Sequence, residues 1–256
     1  MPNISPHLNP PRPGRKKDAF TLAEVLITLV IIGVIAAITV PTLIIKHQKE
    51  QTVVRLKKEY SALAQALTTA ARDYGSTTSW EIYKGSDTVT IDGVEYTGSE
   101  HFLNKYVVPY VAIAKNCGNS TEGDCSFTYK TLNGTNGSQD ATTISKIYLN
   151  DGTLVAVATG VNDNESLANF VIDINGQKKP NKVGRDVFFF NYTLKHIDPI
   201  RAQNHVGRFF PWAYSWSREQ ITGDEYEGCC NKSQKGMYCA ALIMRDMWQI
   251  KDDYPW

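Results

Sequence analysis

From Phe20 to Ile45 the chain runs for 26 residues with a single ionisable side chain, Glu24. No other stretch restricts the fold so much. As a helix it would extend about 39 Å, enough to cross the hydrocarbon of a bilayer. Leu, Ile, Val and Ala dominate it on all sides, which argues against the core helix of a soluble domain. Immediately before it, Arg12, Arg15, Lys16 and Lys17 stand against Asp18 alone. Basic residues are held on the cytoplasmic side, so the leader is expected inside and the C-terminal bulk outside. The formal net charge of the chain is +1, and the leader's excess of three positive charges outweighs it, leaving about −2 on the remainder. No global electrostatic case for nucleic-acid binding exists. A secretory signal would have a shorter apolar core followed by a small-residue cleavage site, whereas here Pro41 is followed by further apolar residues. A plain signal anchor fits the hydropathy but leaves the early carboxylate unexplained.

The stretch Lys16-Lys17-Asp18-Ala19-Phe20-Thr21-Leu22-Ala23-Glu24-Val25-Leu26 resembles the class III signal of type IV pilins and type II secretion pseudopilins. That resemblance implies a cut by prepilin peptidase between Ala19 and Phe20 and N-methylation of Phe20. Glu24 then falls at the fifth position of the mature chain, where that family carries its glutamate. Gly33 and Pro41 match the family's helix-loosening glycine and kinking proline. Ala19 departs from the usual glycine before the cut but stays small, which implies processing that is slowed at worst. A carboxylate within hydrocarbon costs about 3 kcal/mol unless paired. Cleavage would create an α-amine with an ordinary pKa near 8 at Phe20, able to pair with Glu24 of a neighbouring subunit. Thr21-Leu22-Ala23-Glu24 also has the spacing of a capping box. The implied partners are prepilin peptidase, other pilin or pseudopilin subunits, an inner-membrane assembly platform and lipid. The implied location is the bacterial inner membrane, single-pass with the head periplasmic or extracellular, and then a pilus or pseudopilus. Alternatives are a pseudopilin acting in protein export, or an anchored adhesin or DNA-uptake pilin.

Past Lys46 the pattern becomes one-sided. Val53, Leu56, Tyr60, Leu63, Leu67, Ala70 and Tyr74 follow 3-4 spacing, with Lys49, Glu50, Arg55, Lys58, Glu59 and Arg72 opposite. One helix from about Phe20 to Tyr74, kinked at Pro41, is expected. Thr88–Ile91, Asp92-Gly93 and Val94–Tyr96 read as a hairpin, and His101–Val111 as a short helix stopped near Pro109. Thr143–Leu149, Thr153–Thr159, Ala168–Ile174 and Asp186–Thr193 read as four antiparallel strands, the first pair joined by a turn at Asn150-Asp151-Gly152. The expected fold is α+β: a long hydrophobic helix packed on an antiparallel sheet head of pilin type, with an irregular disulfide-bearing C-terminal region. The expected segments are a leader (1–19), a membrane or filament-core half of the helix (20–45), an amphipathic half (46–75) and a globular head (76–256). That head is large for a major pilin, which favours a minor subunit.

Cys117 and Cys125 flank one polar loop, and Cys229, Cys230 and Cys239 flank another. The expected disulfides are Cys117–Cys125, and Cys239 with either Cys229 or Cys230, each stabilising by roughly 2–3 kcal/mol. Zinc fits less well, for there are no paired Cys-x-x-Cys arms. Asp173-Ile174-Asn175-Gly176 invites comparison with a calcium loop, but the glycine and glutamate that an EF-hand needs are missing. Some pseudopilins bind calcium, and by that resemblance Asp173, Asn175 and Asp186 are the candidate oxygen donors. A simple Asn-Gly turn is the preferred reading, and no metal or cofactor is expected. The aromatic-rich tail, Phe209 to Trp256, is read as core for a loop-rich region before it is read as a binding face. His47, His101, His196 and His205 are dispersed, and no nucleophile elbow, phosphate loop, zinc-protease or dinucleotide motif occurs, so catalysis is not expected.

Overall fold

The computed structural model describes residues 21–198 and 203–256. The chain divides into two compact units, residues 1–46 and 47–256. Helix α1, Leu22–Tyr74, is 53 residues long and continues through Pro41. Within the first unit its side chains are almost all exposed.

The second unit is built around the C-terminal half of α1. Leu56, Leu63, Leu67 and Ala70 are fully buried there, at about 1.5–3 kcal/mol for each leucine. They pack with Phe102, Leu103, Ile147, Val157, Phe170 and Phe190 in one continuous core. The Tyr60 ring stacks on Phe209, 5.7 Å between centroids, and its hydroxyl donates to the Phe209 carbonyl at 3.2 Å.

Ten strands form among the described residues: β1 Thr88–Ile91, β2 Val94–Thr97, β3 Ile113–Gly118, β4 Thr128–Lys130, β5 Asn136–Ser138, β6 Ser145–Leu149, β7 Leu154–Val161, β8 Glu165–Asp173, β9 Val187–His196 and β10 Phe209–Pro211. β1–β2 and β4–β5 are separate hairpins, while the main sheet has the order β10-β9-β8-β7-β6-β3 and is antiparallel throughout. The sequence pattern anticipated its four middle strands but neither edge. β3 carries Lys115 and Asn116 and is broken by two register shifts, and β10 has three residues ending in proline. An edge strand is hydrogen-bonded on one side only, so it tolerates the short length, charge, bulges and proline that hide these two from a sequence pattern.

Alternation in the middle strands serves two cores. Ile147, Val155, Val157, Phe170, Ile172, Phe188 and Phe190 face α1, while Leu154, Ala156, Val171, Val187 and Phe189 meet Phe127, Tyr129 and Val183 on the other side. Further helices include α2 (Gly98–Tyr106), α3 (Arg218–Thr222) and α4 (Cys239–Arg245). α2 starts earlier than the sequence suggested, because Thr97 caps it by accepting the Glu100 amide at 3.3 Å. It ends at Tyr106, followed by a 3₁₀ turn over Val108–Tyr110 that contains Pro109. Gly98 is required at the start of α2, since a Cβ there would strike the Lys84 carbonyl.

Candidate functional site

Ala19 and Phe20 lie outside the described residues. At the start of α1, Thr21 and Glu24 form a complete capping box. The Thr21 amide donates to Glu24 Oε2 at 2.8 Å, and the Glu24 amide donates to Thr21 Oγ1 at 3.2 Å. The Thr21 hydroxyl also donates to Glu24 Oε2, at 2.9 Å. These contacts come from one neighbour along the helix, and Glu24 remains exposed. Beyond it, Leu22, Leu29, Val30, Ile32, Ile38 and Leu43 are each at least 60% exposed. By length and composition this half of α1 is able to cross a membrane. An apolar surface so large on one rod needs a cover of lipid or protein. Nothing lies within 4 Å of where a Gly33 Cβ would sit, so packing within the chain does not require glycine there. Glycine in a helix interior costs about 1 kcal/mol relative to alanine.

In the second unit, disulfides join Cys117 to Cys125 and Cys230 to Cys239. Cys229 is a buried thiol that donates to the Gln220 carbonyl at 3.3 Å. The C-terminal segment is drawn in by Arg218, which bridges Asp246 at 3.1 Å and Asp253 at 2.7 Å. Tyr254, buried, donates to the Gly184 carbonyl at 2.5 Å. Most of the tail's aromatics pack on the core, while Tyr214 and Tyr226 remain largely exposed.

Asp173 and Asn175 sit where β8 turns towards β9. The Asn175 amide donates to Asp173 Oδ1 at 3.1 Å, and the Gly176 amide to the Asp173 carbonyl at 3.3 Å, closing a tight turn. Asp186 accepts the amides of Asn181, at 2.8 Å, and Lys182, at 2.5 Å. Among the described residues Asp173 Oδ2 and Asn175 Oδ1 have no hydrogen-bond partner. Burial, reinforced by the neighbouring Asp186 carboxylate, pushes the Asp173 carboxyl up to about 8. Among the described residues no group of three His, Cys, Asp or Glu is placed to hold a metal ion.

One residue overturns the sequence assignment. Glu59, placed on the solvent side by its charged neighbours, is only 2% exposed. The buried stripe of α1 runs Thr52, Leu56, Glu59, Leu63, Ala66, Leu67 and Ala70. Glu59 keeps that stripe's 4-3-4-3 rhythm, which was the available signal. Lys58 Nζ lies 3.2 Å from Glu59 Oε1 and also binds Asp151 in the β6–β7 turn. Burial and the adjacent Asp151 push Glu59 up to about 7, against the smaller pull of Lys58. Hydrogen bonds from Glu59, Lys58 and Thr153 hold Asp151 well below the usual carboxylate range despite its partial burial.

A bare apolar half-helix with one acid near its start has the character of a type IV pilin-like prepilin signal. The prokaryotic N-terminal methylation motif indeed matches residues 14–40, the signal-bearing segment. Residues 42–256 match a family of unknown function, DUF6613, and the chain belongs to that family. No curated protein and no solved structure matches the chain.

Proposed function

We propose that this protein is a non-catalytic structural subunit, cut between Ala19 and Phe20, methylated on Phe20 and assembled into a type IV pilus or a secretion pseudopilus. The carrying observation is the bare half of α1: apolar on every side, with Glu24 as its one charge, inside a matched methylation motif. Cutting before such a helix leaves the subunit anchored in the inner membrane, head outside, as a reservoir for assembly. In the filament Glu24 pairs with the Phe20 amine of an adjacent subunit, so that each buried charge acquires a partner. Its capping contacts with Thr21 hold the carboxylate ready until then. Gly33 and Pro41 supply local freedom where the rod is repacked from lipid to filament. Prepilin peptidase, neighbouring subunits and the inner-membrane platform are the partners. The size of the head favours a minor subunit.

N-terminal mass spectrometry of the membrane-extracted protein tests the reading. A mature chain starting at methylated Phe20 is expected, and an intact Met1 overturns it. Recovery in sheared surface filaments marks a pilus, and retention in the envelope a secretion pseudopilus.

A further inference from the structure

The contact between α1 and the β6–β7 turn carries chemistry that the assembly reading does not use. The turn is fixed in place by its own bonds: the Asn150 amide donates to the Ala112 carbonyl at 3.0 Å, and the Thr153 amide to Asp151 Oδ1 at 3.0 Å. Asp151 thereby reaches back to α1, where Lys58 binds both it and Glu59. Two carboxyls thus share one lysine, and one of the two is buried in the middle of an apolar stripe. A cleft of about 460 Å³ opens beside them, with Tyr110 across it. The Tyr110 hydroxyl is directed to Asp73, donating at 3.0 Å, and brings no positive charge. On the far side of the turn Arg55, Lys115 and Lys178 line a second cleft that reaches Asp151, with Asp124 3.9 Å from Lys115. None of those cations forms an ion pair with Glu59 among the described residues. A single lysine balances one carboxylate, which leaves the second without a cation of its own among the described residues.

We propose that Glu59 and Asp151 form a proton-operated latch, in which a proton held between the two carboxyls seats the β6–β7 turn on α1 and its loss unseats the turn. Asp151 stays ionised throughout, and Glu59 is the group that gains or loses the proton. With the proton present, the neutral Glu59 donates to the Asp151 carboxylate. Without it, two carboxylates face each other with one lysine between them. The midpoint lies close to neutrality, so the head would respond to the ordinary acidity of its surroundings. The proposal is independent of whether the subunit enters a filament.

The test is amide hydrogen exchange at Asn150 and Thr153 in the full mature chain in detergent, corrected for intrinsic pH dependence, between pH 6 and 8.5. In the wild type, protection at these two amides should fall about tenfold across that range, as expected for a contact governed by one proton. Glu59→Gln is permanently neutral and keeps a donor, so protection should stay flat. Asp151→Asn removes the neighbouring charge, so any remaining transition at the Asn150 amide should move to lower pH by about one unit. This second variant keeps the question answerable should the first fold poorly. Equal loss of protection in wild type and Glu59→Gln, or an unmoved midpoint in Asp151→Asn, overturns the latch. Asp173 lies close to the same turn, paired with Leu154 in β7, so Asp173→Asn is the control: the transition at the two amides should persist in it, and its disappearance there overturns the latch.

Discussion

Helix α1 carries two acids in apolar stripes, and they meet opposite environments. Glu24 lies in the bare half, exposed, with Thr21 as its partner. Glu59 lies in the packed half, enclosed by the head, with Lys58 beside it and Asp151 across from it. Both depart from the apolar pattern around them, yet only Glu59 has its environment completed inside the chain. The lesson is that an acid in an apolar stripe marks a place where charge must be compensated. Whether a neighbouring molecule or the same fold does so depends on what covers the stripe.

The largest way to break this comparison is Glu24→Ala. Recovery of the subunit in sheared filaments or envelope pseudopili should drop to background, while the head's melting temperature moves by less than about 1 °C, since the cap lies outside the packed unit. Equal assembly by the variant would remove Glu24 from the mechanism.

Next is a pair of truncations, one in each half. Leu63→Ala, in the buried stripe, should cost about 2–5 kcal/mol in denaturant unfolding. Leu29→Ala, in the bare half, should change the unfolding of the head by less than about 0.5 kcal/mol. A similar cost at both positions would mean that the bare half is covered within the subunit.

Glu59→Gln sharpens the comparison through pH. The folded pKa of Glu59, about 7, lies above its ordinary 4.5. Its bound proton therefore favours the folded state fully below pH 4.5, and that advantage is lost as pH rises through 7. At pH 8.5 the neutral variant should exceed wild type by about 1–3 kcal/mol, and the difference should vanish near pH 4. Asp151 has the opposite sign: its depressed pKa contributes stability above the ordinary carboxylate range, lost in strong acid. Thermal melts of both proteins across pH 4–8.5 measure the crossover.

Gly33→Ala has the smallest expected effect on the isolated subunit, a gain of up to about 1 kcal/mol in local helix stability. Helicity measured by circular dichroism in detergent micelles should be unchanged or slightly raised. A decrease would show that the isolated rod needs glycine at this point.

The legible parts of the molecule were those whose signal is local. Residues 20–45 need no partner to be recognised as apolar, and the Thr21–Glu24 spacing encodes its own capping contacts. The stripe Leu56–Leu63–Leu67–Ala70 and the alternation of β7, β8 and β9 are likewise written in consecutive residues. Tertiary structure decided what depends on residues far apart in the chain. β3 and β10 join the sheet only because β6 and β9 offer them an edge. Cys239 had two adjacent candidates, and the fold brings it to Cys230, leaving Cys229 facing the Gln220 carbonyl. Glu59 looked like one more charge in Lys57-Lys58-Glu59 until the head closed over it. Periodicity reveals which residues share a side of a helix, but burial is set by the surface that arrives from elsewhere, and that surface turned an ordinary acid into a group that holds its proton near neutrality.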